Sequence, residues 1–307
     1  MTLDQLRYFK RLAELLNYTQ AAADLFISQP ALSSAISRLE SEIGAKLLVR
    51  SRSGKASLTQ AGESFYEHVC LALADIDAGI ELAREAEYGA KNALLRVGVI
   101  PCMQSKAWSR ALNEFRAESP LEPTFMIRQA HSHELTSQLL QGELDVAFAS
   151  KVGEDSRINY RLCGLQPTVL CVNKQHAWAK RKSISLKELE GRTVMTYETS
   201  NAAYGAVKQA LEGYDIDVQE SFFDEMTMAS MVQADPQTMA VFSYSLVVKV
   251  FPGLAFIPFE EVPTDAYHKV YFAYLKASQR AVASAFIDYA LRYLDTHEIR
   301  PHGDLSG

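Results

Sequence analysis

Along the first sixty positions, apolar residues recur at intervals of three and four, the period of helices that bury one face. Leu3, Leu6, Phe9, Leu12, Ala13 and Leu16 predict a first helix. Thr2 and Gln5 open it in capping-box form, and Asn17, which tolerates a left-handed cap, ends it. Thr19 is placed to cap a short second helix from Gln20 to about Phe26, with a small Ala21–Leu25 core that another helix can cross closely. The stretch "SQPALSSAISRLE" follows, with Leu32, Ile36 and Leu39 on its apolar face. Pro30 suits a first helical turn, and Gly44 marks the end. "KLLVRSRSGKASLT" then predicts a short hairpin turning at Ser53-Gly54, with Arg50, Arg52 and Lys55 at its tip.

The pattern next lengthens. From 59 to 88 there is no proline, and Phe65, Val69, Leu73, Ile76 and Ile80 form one stripe. About 28 helical residues span about 42 Å, and a helix of that length must bury its stripe against something. "EYGAKN" reads as a hinge. Beyond it, strand-like runs such as "LLRVGVI", "TFMIRQA" and "LDVAFAS" alternate with helical stretches, and the alternation restarts at "PTVLCVN". This is α/β organisation with mainly parallel strands, in two subdomains joined by crossovers near 161–165 and 262–267. The expected division is 1–58, a linker helix 59–88, a hinge 89–93, one subdomain of 94–163 with 265–300, a second of 164–264, and a tail 301–307.

The third helix has an unusual polar face. In place of Glu and Lys it carries Gln29, Ser33, Ser34, Ser37 and Arg38, small side chains that are weak helix formers. Helix, helix, short turn, helix and basic hairpin is the order of a winged helix-turn-helix, whose recognition helix must be narrow to enter the major groove. Gln29 can pair with adenine, and the Pro30 start aims the positive helix end at phosphate. Ser28 and Ala31 at the start of this helix, with Thr19 and Gln20 at the start of the second, are expected to contact DNA as well; Arg38, Arg50, Arg52 and Lys55 suit phosphates or the minor groove. Charge agrees: residues 1–60 hold eight basic and five acidic side chains, whereas the whole chain is at −6. A basic end on an acidic body suggests that only the end meets nucleic acid.

Here the sequence resembles the LysR-type transcriptional regulators. The resemblance runs from Ala21 to Gly62, through Ala21-Ala22, Leu25, Ser28-Gln29-Pro30-Ala31, Ser33, Ile36, Leu39-Glu40, Gly44, Leu47, Arg50, Leu58-Thr59 and Ala61-Gly62. Leu48 stands where the family usually has Phe, and the wing is about one residue longer than usual. The resemblance implies a periplasmic-binding-protein-like effector domain, with "LLQGELDVAF" as its typical segment. It also implies that the 59–88 helix pairs antiparallel with the same helix of a second subunit through Phe65, Val69, Leu73, Ile76 and Ile80. A dimer or tetramer of that kind presents two recognition helices to a near-palindromic DNA site.

Ligands of open α/β sheets bind beside the carboxyl ends of strands. Those points are Pro101, Cys102, Met103, Gln104, Ser132, Ser150, Tyr197, Thr199, Asn201, Met226, Thr227 and Phe242. The family's effector positions fall most directly on Cys102, Ser132 and Ser150. This neutral, hydroxyl-, Met- and aromatic-rich set suggests a small effector, largely uncharged or aromatic, while Ser132 at a helix start could still hold a carboxylate. No G-x-S-x-G, H-E-x-x-H, P-loop or G-x-G-x-x-G is present, which argues against an enzyme. His131 and His133 lack further ligands at metal spacing, and neither a metal nor a resident cofactor is expected. The four cysteines, Cys70, Cys102, Cys163 and Cys171, show no C-x-x-C spacing. Thiol-based redox sensing, known among relatives, is the alternative within the same architecture, although Cys163 and Cys171 do not sit where that resemblance needs them. With no signal peptide and no membrane-spanning run, a cytoplasmic protein is expected.

Overall fold

The computed structural model describes residues 1–50, 55–88, 93–101, 106–276 and 280–296. The chain divides into two compact units near Ala90. Arg52, the Ser53-Gly54 turn, Cys102, Met103, Gln104, most of the expected hinge and the 301–307 tail lie outside the described residues, as does the side chain of Arg50.

In the first unit, α1 (Leu3–Leu15) starts at Thr2 with the reciprocal capping box of Gln5. It ends one residue earlier than expected: Leu16, not Asn17, is left-handed, with φ 47°. Asn17 caps α2 (Tyr18–Asp24) instead, its Oδ1 accepting the N–H groups of Thr19 at 3.0 Å and Gln20 at 3.1 Å. An extended residue with an amide oxygen meets two free N–H groups at once, so Thr19 lies inside the helix and does not cap it. Ser28 caps α3 (Gln29–Ile43), Pro30 sits in its first turn, and Gly44 closes it at φ 78°. The wing is β1 (Leu48–Arg50) paired antiparallel with β2 (Ala56–Leu58). Phe9, Leu12, Ala21, Leu32, Leu39 and Leu47 fill the core between these elements.

The long helix α4 (Gln60–Tyr88) begins where Thr59 Oγ1 accepts the Gly62 N–H at 2.9 Å. A Cβ at Gly62 would lie 2.0 Å from the Leu47 carbonyl oxygen, so only glycine lets the helix approach the wing root there. Its apolar stripe is divided between two tasks. Phe65 packs on Phe9 with ring centroids 5.4 Å apart, and Val69 and Leu73 are buried in the winged-helix core. Ile76 and Ile80 stay exposed, at 39% and 41%. The expectation that all five face a second subunit is therefore corrected: α1 covers the first three.

In the second unit, β3 (Leu94–Val99), α5 (Lys106–Glu118), β4 (Thr124–Gln129), α6 (Ser132–Leu140), β5 (Val146–Ala149) and β6 (Ile158–Gln166) build the first subdomain. The chain crosses at Pro167 into β7 (Thr168–Asn173), β8 (Thr193–Tyr197), α7 (Tyr204–Leu211), β9 (Asp217–Phe222), α8 (Glu225–Ala234), β10 (Met239–Ser243) and β11 (Leu254–Pro258). It returns as β12 (His268–Leu275) and α9 (Ala281–Thr296). The sheets run β4-β3-β5-β12-β6 and β11-β7-β10-β8-β9.

Two expectations are corrected here. The sheets are mixed, not mainly parallel: β12 runs against both β5 and β6, and β7 against β10 and β11. These are the strands that carry the chain out and back, so they must oppose their neighbours. The first crossover also comes later than 163, because Gly164, Leu165 and Gln166 still pair with Val270, Lys269 and His268. At the other end of the first sheet, Asp145 receives Arg96 and Arg280, and Arg280 Nη2 also donates to the Leu94 carbonyl at 2.7 Å. This buried cluster fastens the start of α9 to β3 and β5.

Candidate DNA-binding surface and ligand cleft

Helix α3 turns Leu32, Ile36 and Leu39 inward. Pro30, Ala31, Ser34, Ser37 and Arg38 are exposed on its other side, with Gln29 and Ser33 half-buried beside them. The Ser28 Oγ accepts the Ala31 N–H at 3.3 Å, which orders the first turn. Thr19 and Gln20 are exposed at the start of α2.

Cation pairing separates two groups of basic residues. Lys10 pairs with Glu14, Arg11 with Asp24, and Lys46 with Glu40. Arg38 and Lys55 are exposed and form no ion pair among the described residues. Unpaired cations beside a narrow polar helix face are free to meet phosphates.

Glu40 joins this helix to the wing. It is buried, and its Oε1 accepts the Leu47 N–H at 2.9 Å and the Leu48 N–H at 3.2 Å while Oε2 meets Lys46 Nζ at 2.6 Å. Burial opposes its charge, but Lys46 and the two N–H groups outweigh it and hold the carboxyl below its ordinary range.

In the second unit a cavity of about 310 Å³ opens between the two subdomains. Its inner wall is polar and buried. Ser132, first residue of α6, accepts the Ser150 N–H on Oγ at 3.0 Å, and Ser150 Oγ lies 2.7 Å from His268 Nε2. Burial pushes the His268 pKa down to about 4, so the ring is neutral. Gln166 completes this wall. Across the cleft, Glu225 opens α8 and its carboxylate accepts from Ser245 Oγ at 2.7 Å and from the Tyr197 hydroxyl at 3.4 Å. Burial raises its pKa against those hydrogen bonds. The His131 and Phe223 rings meet edge to face between the subdomains, with centroids 4.2 Å apart. Asn201 Nδ2 donates to the Phe223 carbonyl at 2.7 Å and anchors that side.

Residues 3–63 match the model of bacterial regulatory helix-turn-helix proteins of the lysR family, and residues 89–295 match the LysR substrate binding domain. The chain belongs to the LysR family of transcriptional regulators. The HTH-type transcriptional regulator BudR of Raoultella terrigena is 32% identical over 254 residues, 80% of this chain and 84% of that one. Full-length CbnR in complex with its target DNA superposes with a TM-score of 0.64 at 21% identity, covering 95% of this chain and 99% of that one. The effector-binding domain of QuiR in complex with shikimate superposes with a TM-score of 0.59 at 19% identity, covering 68% of this chain and all of that one, 100%. These structural likenesses show the fold of a LysR regulator, and the two family models identify its parts as a helix-turn-helix head and a substrate-binding body.

Of the residues expected to bind an effector, Pro101, Ser132, Ser150, Tyr197, Asn201 and Met226 do line the cleft of this LysR regulator. Three do not. Phe242 is fully buried in the core, because β10 is the central strand of its sheet and the Phe242 ring packs towards Phe256. Thr199 is exposed away from the cleft, and Thr227 lies within the first turn of α8, its N–H accepted by Asp224 at 2.7 Å. Gln166, His268, Phe223 and Glu225 were missed. The first two sit at the ends of the crossover strands, where a polar residue breaking an apolar run was the available signal. Cys163 and Cys171 lie in different sheets and are not disulfide-bonded, and burial pushes the Cys171 thiol up, away from reactive thiolate.

Proposed function

We propose that this LysR regulator acts in the cytoplasm as a homo-oligomer, a dimer or tetramer, on near-palindromic promoter DNA. It works without a resident metal or cofactor and catalyses no reaction; its relatives are named as transcriptional regulators. Its effector is a small uncharged or aromatic molecule held in the cleft. The observation that carries this reading is the lining: neither Lys nor Arg is among its described residues, while Asp224 and Glu225 are. A dianion would meet no cationic Lys or Arg side chain among the described lining residues. Ser132 and Ser150 offer hydroxyls, and Ile100, Phe223, Met226 and Val247 offer apolar area.

Ligand contacts to both walls draw the subdomains together, and this shifts the relative placement of paired DNA-binding heads. The test is fluorescence anisotropy on the protein's own upstream DNA and on a scrambled duplex, with matched uncharged and anionic metabolites added. The reading expects preference for the upstream duplex and a response confined to uncharged compounds. A response to dicarboxylates alone refutes the charge assignment, and ligands that bind without changing affinity, footprint or bending refute the coupling.

A further inference from the structure

Three buried side-chain atoms with no hydrogen-bond partner among the described residues gather where the two subdomains join. Gln166 Nε2 lies at the end of β6, Thr168 Oγ1 at the start of β7, and Ser243 Oγ, in register with Thr168, at the end of β10. Buried polar groups are nearly always satisfied, so an exception asks for a reason. Of the three, only Gln166 also lines the cleft, and it is 3% exposed. Its strand neighbour His268 is already engaged by Ser150. At the cleft wall the amide therefore carries a donor that no group of the described residues accepts.

We infer that Gln166 selects the effector, its Nε2 donating a hydrogen bond to the carbonyl oxygen of an uncharged ketone, amide or ester. This deepens the cleft reading above and rests on it. The surroundings fix the class. Ser132 Oγ already accepts from Ser150, which leaves the Ser132 hydroxyl proton for the same ligand oxygen. His268 is neutral and adds no positive charge. One oxygen with two lone pairs takes both donors, and the apolar remainder of such a molecule lies towards Phe223, Met226 and Val247. A carboxylate would find the same donors but no Lys or Arg side chain among the described lining residues to offset its charge. Specificity of this kind is strong, because an analogue lacking the oxygen leaves a buried donor unpaired.

The test uses thermal unfolding of the full-length protein, as wild type, Gln166→Met and Gln166→Leu. Each is measured alone and with cyclohexanone, benzamide, benzoate or succinate at equal concentration. An unpaired buried donor burdens the ligand-free protein, so both variants are expected to melt higher than wild type, by about 2–4 °C. Cyclohexanone and benzamide are expected to raise the wild-type midpoint, and that rise is expected to disappear in both variants. Benzoate and succinate are expected to leave wild type unchanged.

Both variants melting below wild type would show that the amide serves the fold and would overturn the assignment. So would equal protection of wild type and variants by benzamide. Protection by the carboxylates alone, or by no probe at all, would overturn the ligand class. Failure of the wider reading looks different: DNA binding then stays indifferent to every compound that binds, whatever residue stands at 166.

Discussion

Glu40 Oε1 accepts the Leu47 N–H at 2.9 Å, so a recognition-helix side chain holds the root of the wing. The groove-facing helix and the basic hairpin are thereby set at a fixed angle. Replacing Glu40 by Ala leaves two buried N–H groups unpaired and is expected to destabilise the head by about 1–3 kcal/mol. The contribution is linked to pH. Because the folded carboxyl is held below its ordinary value of 4.5, the stability is present above that value and is lost as pH falls through the lower folded one. Urea denaturation of wild type and Glu40→Ala at pH 7 and pH 3.5 checks both statements, since the difference between them should narrow in acid.

Arg38 and Gln29 should fail differently. Arg38→Ala is expected to weaken binding to all duplexes alike and to reduce the salt slope by about 1. Gln29→Ala is expected to cost about 1–3 kcal/mol on the preferred duplex and little on others. Anisotropy titrations at several salt concentrations separate the two.

The divided stripe of α4 gives two kinds of variant. Leu73→Ala should destabilise the head by about 2–5 kcal/mol, as large-to-small core changes do. Ile76→Lys with Ile80→Lys should leave the melting of the head nearly unchanged and shift sedimentation towards monomer. A stable oligomer in the double variant would place the subunit contact elsewhere.

Asp145 stands between Arg96 and Arg280, with Arg280 Nη1 at 2.6 Å. Asp145→Asn leaves two guanidinium groups without their carboxylate, one of them buried. The expected loss is about 3–5 kcal/mol, read as a lower denaturant midpoint of the effector body.

The cleft carries two titrations of opposite sign. His268 has a folded pKa of about 4, below its ordinary 6.5, so the unfolded chain binds the proton first and stability falls as pH drops from 6.5 towards 4. Glu225 has a raised folded pKa, so stability falls as pH rises above its ordinary 4.5. Glu225→Gln is expected to melt higher than wild type at pH 7 and to converge with it near pH 4, and His268→Gln to flatten the acid limb. Melting curves across that range test the two independently.

Much of the head was legible because its signals are local. The Thr2–Gln5 box, Ser28, Pro30 and Gly44 each state a boundary in a single residue. Asn17 misled because two adjacent residues competed for two roles, left-handed cap and N-cap, and the winner is decided by which N–H groups need an acceptor. In the body, strand positions were visible but strand direction was not. Direction depends on which strands become neighbours, and His268 meets Gln166 across 102 positions of chain. For the same reason the serines at strand ends were found, whereas Gln166, His268 and Glu225 were not. For Gln166 and His268 a polar residue at the end of a strand was the one local hint, and their place in the cleft is set by register and crossover. Glu225 stands beside Met226 at the start of α8 and went unchosen because acidic residues there also serve the helix end.

The pairing of β6 with β12 has a further consequence. Everything from Pro167 to Tyr267 is, in topology, one elaborate hairpin loop whose ends are a strand spacing apart, about 5 Å. Such a joint behaves as a torsion ribbon. It resists stretching, because the ladder would have to shear, but it twists at small expense in hydrogen bonds. The second subdomain should therefore roll about its tether more readily than it swings. As a unit of inheritance it is also a cassette, open to exchange for another ligand-binding lobe without a cut through the sheet that carries it.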